Sequence, residues 1–138
     1  MSAYRYLFSP LKIGFVVVPN RIHFAAHLTN LSENHQISER HVDYYRERAK
    51  GGCGLITTEE MTVHPSDLAY EKLVDAFLPS VIPGFQRLTR AIHAYDTKIF
   101  AQLNHNGMQA DGKLSRLPVW GPSAGKDPLF REISKEME

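Results

Sequence analysis

Between residues 21 and 104 the hydrophobic pattern changes period repeatedly, and this alternation limits the folds open to the chain more than any other feature. Arg21 to Ala26 reads as a strand. Ser38 is placed to cap a helix over Glu39 to Lys50, in which Val42, Tyr45 and Ala49 fall on one face, with His41, Tyr44 and Arg48 beside them. Arg and Lys gather in its last turns, and Gly51-Gly52 ends it, because glycine takes the left-handed cap conformation at little cost. A second strand, Cys53 to Thr58, ends in Glu59-Glu60. The long connection from Met61 to Pro79 contains His64-Pro65-Ser66-Asp67, and a connection of that length after a strand is more often functional than idle. Ile82, Phe85, Leu88, Ala91, Ile92 and Tyr95 then recur at three- and four-residue intervals, an amphipathic helix entered at Pro83-Gly84. Asp96-Thr97 turns the chain into a third strand, Lys98 to Asn104. Strand and helix in alternation call for a parallel sheet with right-handed crossovers, an α/β fold.

The flanks are less regular. Tyr6 to Val18 is an apolar lead-in broken by Pro10 and Gly14, with the pattern of a small hairpin. Met108 to Phe130 carries Gly112, Pro118, Gly121, Pro122, Gly125 and Pro128 and is expected to be loop, pinned by Trp120. Ser134-Lys135-Glu136-Met137-Glu138 has the look of a helix N-terminus, a capping serine followed by acids. Three parallel strands that stop at a helix start give the expectation of a segment of something larger.

In α/β folds of this type ligands bind at the C-terminal ends of the strands. The stretch Phe100 to Gly107 fits that position, since an apolar run passes into amides and an imidazole and stops at a glycine. Gln102 offers an acceptor beside two donors, which suits a flat ring with adjacent N–H and C=O groups. His105 has two readings, a pocket-lining group or a hydrogen-bonded histidine at a strand end. Glu59 and Glu60 are expected to be solvated carboxylates at a loop start, and neighbours on a strand face opposite ways, so they cannot share a substrate. His23 and His27 lie on a strand and its exit, where a four-residue spacing does not bring them to one face, and no CxxC is present, so no metal is expected. A net charge of +1 gives no electrostatic case for nucleic acid or an anionic membrane surface. The one cysteine, Cys53, reads as a small buried side chain. No stretch nears the ~18 apolar residues of a membrane span, and a cytoplasmic protein is the default expectation.

Several motifs in register carry a resemblance. Leu7-Phe8-Ser9-Pro10-Leu11-Lys12-Ile13-Gly14, Pro19-Asn20-Arg21-Ile22 and Gln102-Leu103-Asn104-His105-Asn106-Gly107 resemble the start of the Old Yellow Enzyme family. The branch most similar is that of the NADH:flavin oxidoreductases related to 2,4-dienoyl-CoA reductase. Within it, His27-Leu28-Thr29-Asn30, Glu39-Arg40-His41 and Leu117-Pro118-Val119-Trp120 resemble the mycofactocin-associated members. The resemblance implies an FMN-binding (β/α)8 TIM barrel, of which residues 1–138 would form one partial domain: the bottom-plug hairpin and about three βα units. It further implies that Ala25, Ala26, His27 and Leu28 reach the flavin near its reactive nitrogen, that Glu60 is a second ring contact, and that Gln102 pairs with the pyrimidine edge.

The same resemblance marks departures. Leu28 stands where relatives often carry a polar or thiol residue that tunes the flavin, Glu60 where a small residue is more usual, and Met108 where an arginine follows the His-x-Gly pattern. The substrate-gripping pair, the proton donor and the phosphate site belong to later strands of the family barrel, so the catalytic residues are unknown here and the segment alone is expected to be inactive. The implied function of the parent is an FMN-dependent oxidoreductase that takes hydride from NAD(P)H and reduces activated alkenes or related small-molecule acceptors. An iron–sulfur cluster or FAD in a C-terminal extension is compatible with the resemblance. A competing enzyme reading is an aldolase-like barrel with Lys98 or Lys113 as amine nucleophile, although neither ends a strand. A non-enzymatic alternative is a truncated barrel module that associates through its exposed third-strand edge, which also leaves room for a homo-oligomer.

Overall fold

Gly14 takes a φ of +58°, and around it Leu11–Ile13 (β1) and Val16–Val18 (β2) pair antiparallel, so the lead-in is the expected hairpin. The structure is a computed structural model that describes residues 4–129 and 131–138; Met1 to Ala3, and Phe130 at the end of the expected loop, lie outside the described residues. Asn20 links the chain leaving the hairpin to the turn after the first helix: its Nδ2 donates to Gly52 O at 2.9 Å and its Oδ1 accepts from Ile22 N at 3.0 Å. Gly54 lets this happen, since a Cβ there would stand 2.6 Å from Asn20 O and from Asn20 Oδ1.

The first barrel-type strand is shorter than its sequence pattern, covering only His23–Phe24 (β3). Helix α1 (Glu39–Lys50) has the expected bounds, and the Ser38 hydroxyl accepts from His41 N. The reciprocal half of the capping box is made by the His41 side chain, not by the usual acid. Gly52, at φ +90°, turns the chain out of the helix. Strand β4 runs from Leu55 to Thr62, further than expected, so Glu59 and Glu60 lie inside a strand and not at the start of a loop. The long connection contains a two-residue strand, Val74–Asp75 (β5), and a 3-10 turn before helix α2 (Ile82–His93). Strand β6 (Lys98–Asn104) has the expected bounds.

β4 is central. It pairs in parallel with β3 near its start and β5 near its end along one edge, and with β6 along the other. Helices α1 and α2 cover one face, where Val42, Tyr45, Ala49, Leu88 and Ile92 close over Ile56 and Met61 to form the core. Burying side chains of this size is worth about 1.5–3 kcal/mol each. Phe24 packs edge-on against Tyr44 and Tyr45 on that same side. Cys53 is buried, as its position suggested.

The last third differs from expectation. Residues 112–115 form a short helix, α3 (Gly112–Ser115), and Trp120–Gly121 (β7), Gly125–Lys126 (β8) and Ile133–Glu136 (β9) form a small sheet in the order β7-β9-β8. The expected helix start at Ser134 is therefore a strand. Its hydroxyl donates to Ser123 O at 3.0 Å and accepts from Gly125 N at 3.2 Å, which ties it to the preceding loop instead of capping a helix. Pairing from distant segments overrode a local signal that was real but weak. The described residues form an open α/β layer with a parallel sheet and no closed barrel.

Candidate functional site

The site is built on an irregularity in β4. Leu55, Ile56 and Thr57 pair with Lys98, Ile99 and Phe100, after which Glu60, Met61 and Thr62 pair with Gln102, Leu103 and Asn104. From Thr57 to Glu60 is three steps, against two from Phe100 to Gln102, so β4 carries one extra residue. A bulge of this kind reverses the facing of everything after it. Without it Glu60 would follow Ile56 onto the helix side; with it Glu59 goes there, and Glu60 shares the open face with Gln102.

Glu59 is only 1% exposed, which corrects the expectation of a solvated carboxylate. His41 Nε2 donates to its Oε1, and His41 Nδ1 accepts from Ser38 N at 3.1 Å, an arrangement that places the imidazole proton on Nε2. Thr29 donates twice, from its backbone N at 2.6 Å and from its hydroxyl at 2.8 Å. The Glu59 N–H donates to the Tyr45 phenol at 2.8 Å. Burial alone would raise this carboxyl, but the hydrogen bonds from His41 and Thr29 outweigh burial and hold it below the ordinary glutamate value. Through Thr29, Glu59 also anchors the segment after β3, in which Ala25, Ala26 and His27 are exposed and Leu28 is half-buried.

The open face has the opposite character. Gln102 is exposed, and among the described residues its side-chain amide makes no hydrogen bond, while its backbone N donates to Thr58 Oγ1 at 3.4 Å. Glu60 is half-buried; its carboxyl has no hydrogen-bonded or ion-paired partner among the described residues and is raised by burial first and then by the carboxylates of Asp67 and Glu59. Asn104, two residues beyond Gln102 and so on the same face, has its Nδ2 buried without an acceptor among the described residues. Asn104 was not singled out from the sequence, although its spacing of two from Gln102 in a strand is the signal that marks it.

The connections after β4 and β6 are tied together above this face. Asp67 is fully buried and accepts from Asn106 N at 2.7 Å and Asn106 Nδ2 at 3.0 Å. Beyond it lies a cavity of about 570 Å³ lined by His64, His105, Trp120, Met137 and Glu138. His105 is the hydrogen-bonded histidine of its second reading, since its Nδ1 accepts from Gly107 N at 3.0 Å; its ring also lines this cavity, 6.2 Å from that of His64, at a place that neither Glu60 nor Gln102 lines. Trp120 lies in β7, paired with Lys135 of β9, and so belongs to a strand and not to a loop. Lys98 begins β6 and pairs with Asp96 at 2.9 Å, and Lys113 lies in α3, so neither is an amine at a strand's C-terminal end. His23 is engaged with Thr57 Oγ1 at 2.9 Å. The structure thus brings Glu60 and Gln102 side by side, and places Ala25 to Leu28 after the strand on the other side of β4. Glu60, Gln102 and Asn104 fit the edge of a flavin: among the described residues an amide and a carboxyl without partners share one face at strand C-terminal ends, with a buried unpaired donor beside them.

The model of the NADH:flavin oxidoreductase / NADH oxidase family matches residues 6–137. The chain is 39% identical over 113 residues to the NADH oxidase of Thermoanaerobacter brockii, covering 79% of this chain and 17% of that protein. It is 32% identical over 141 residues to the N,N-dimethylglycine/sarcosine dehydrogenase of Chromohalobacter salexigens, covering 99% of this chain and 20% of the other. It therefore spans about a fifth of the length of the curated relatives it matches. The Old Yellow Enzyme homologue of Zymomonas mobilis superposes with a TM-score of 0.86 over 96% of this chain and 39% of its own, at 24% identity, a likeness of fold. The chain belongs to the FMN-binding NADH:flavin oxidoreductase / NADH oxidase family.

Proposed function

We propose that residues 1–138 supply flavin-edge contacts of an FMN-dependent NAD(P)H:flavin oxidoreductase, a whole protein that reduces activated alkenes or related acceptors by hydride transfer. The observation that carries this reading is the pairing of Glu60 with Gln102 on an open face where both side chains are unspent. FMN held there would supply the two-electron chemistry of hydride transfer between a nicotinamide and an acceptor. The chain's own residues bind and orient. The Gln102 amide presents a donor and an acceptor in one plane to the pyrimidine edge. Ala25, Ala26, His27 and Leu28 approach the ring from the neighbouring strand end, where small side chains leave room for backbone contact. Glu59 acts at one remove, holding Thr29 and with it the direction in which that segment leaves the sheet.

Replacing Gln102 with leucine in the whole protein tests the reading. FMN affinity is expected to fall about tenfold, the worth of roughly one or two hydrogen bonds; unchanged affinity would remove Gln102 from the site.

A second reading rests on β6, whose outer edge is unpaired among the described residues and exposes Phe100 and Leu103. An edge of that kind is a template for strand pairing, so a non-catalytic module that associates through it is the alternative. Sizing the 138-residue chain in solution with excess FMN separates the two. A flavin-free oligomer that gains no flavin when the chain is extended favours association, and flavin binding on extension favours the enzyme.

A further inference from the structure

Glu60 is the feature of this face that a flavin contact does not by itself explain. The bulge in β4 turns it to the open side, directly beside Gln102 in the ladder. It is half-buried, and no hydrogen bond or ion pair reaches its carboxyl among the described residues. The charged groups that act on it are carboxylates, Asp67 from the connection after its strand and Glu59 on the strand itself. From β6 it faces Gln102 and Asn104, and the segment after β3 opens with Ala25 and Ala26, all uncharged. Partial burial together with two like charges and no cation makes the ionised form costly here, and the carboxyl is accordingly raised above the ordinary glutamate value. A neutral carboxylic acid has an O–H to give, whereas a carboxylate only accepts.

Resting on the flavin reading above, we propose that Glu60 is a proton-bearing ring contact, donating its carboxyl O–H to an oxygen of the flavin beside Gln102, so that the site holds flavin more tightly with Glu60 protonated than with it ionised. Burial first, and then the carboxylates of Asp67 and Glu59, favour the protonated form of Glu60, and the ring oxygen receives a donor where a smaller side chain would leave only backbone. On ionisation the contact changes sign, because a carboxylate repels the electron-rich carbonyl edge that the acid had bonded. The same negative charge opposes reduction of the ring, so the effect is larger for reduced than for oxidised flavin.

The experiment measures FMN dissociation constants of the whole protein from pH 4.5 to 8.5, for wild type, Glu60→Gln and Gln102→Leu. The FMN phosphate titrates in all three, so the difference between wild type and Glu60→Gln isolates Glu60. Glutamine retains the shape and an N–H donor but cannot ionise. The expected result is a wild-type affinity that falls about tenfold across the Glu60 titration, one hydrogen bond lost, relative to a Glu60→Gln curve that lacks this step. Infrared spectra of the flavin-free protein read the same titration directly, as a carboxylic-acid carbonyl band that persists above the ordinary glutamate range and is missing in Glu60→Gln. Parallel affinity curves for wild type and Glu60→Gln would overturn the proposal, as would a band that titrates like a solvated glutamate. If the curves are parallel while Gln102→Leu still weakens binding, only the role of Glu60 falls. If Gln102→Leu binds as wild type does, the flavin reading falls and this one with it.

Discussion

Glu59 and Glu60 are consecutive, chemically identical and on one strand, yet they live in opposite surroundings. Glu59 faces the helices, where His41, Thr29 and the backbone–Tyr45 contact account for its polar groups. Glu60 faces away, with two carboxylates for electrostatic neighbours and an unspent amide beside it. One extra residue in the ladder separates these fates. The satisfied side is where the fold is held; the unsatisfied side is where a ligand is expected. A buried polar group with all its partners is structure, and a row of polar groups without partners at strand C-terminal ends is a site.

The sharpest way to break this contrast is at His41. His41→Ala leaves the buried Glu59 carboxylate without its nearest donor and is expected to cost about 3–5 kcal/mol of stability by denaturant unfolding; a cost under about 1 kcal/mol would mean the carboxylate is not held as described. Next comes packing. Leu88, fully buried between α2 and the sheet, should lose about 2–5 kcal/mol on change to alanine. Leu103, 68% exposed among the described residues, should lose under about 0.5 kcal/mol in the 138-residue chain. A large loss at Leu103 in the whole protein but not in the shorter chain would show that further chain covers that face.

The two glutamates should also answer pH in opposite directions. Glu59 is lowered in the folded protein, so the stability it contributes is present above the ordinary value of 4.5 and is lost as pH falls through its lower folded value. Wild type should therefore lose stability more steeply than Glu59→Gln in the acid range. Glu60 is raised, so its contribution is full below 4.5 and is lost as pH rises through its higher folded value. Thermal unfolding between pH 3 and 8 checks both signs, and identical profiles for the two variants would contradict the assignment of faces. The smallest effect is expected for Glu60→Gln at neutral pH, a change in stability near zero and toward the stable side.

Legibility in the sequence depends on how local each determinant is. The bounds of α1 and β6 are set by a capping serine, a glycine pair and a turn that the chain carries beside them. The exposed position of Gln102 on β6 could be read from the chain, because an amide closing an apolar strand has few structural uses. The burial of Glu59 was not, because nothing within the strand reveals the extra residue, which is defined only against β6. Ser134 misled for the same reason: its cap-like context is local, while the Ser123 and Gly125 contacts that hold it come from another segment. The strand spacing puts Asn104 on the face of Gln102, but that its Nδ2 is unpaired among the described residues depends on neighbours from other segments.

The bulge sends Glu59 to the fold, and in the proposed reading it sends Glu60, with Gln102, to the flavin. Carbon-13 resonances of the two glutamate carboxyls, assigned through Glu59→Gln and Glu60→Gln, test this during addition of FMN to the flavin-free whole protein. The Glu60 carboxyl is expected to move on binding while that of Glu59 stays in place. A shift at Glu59 with none at Glu60 would contradict it.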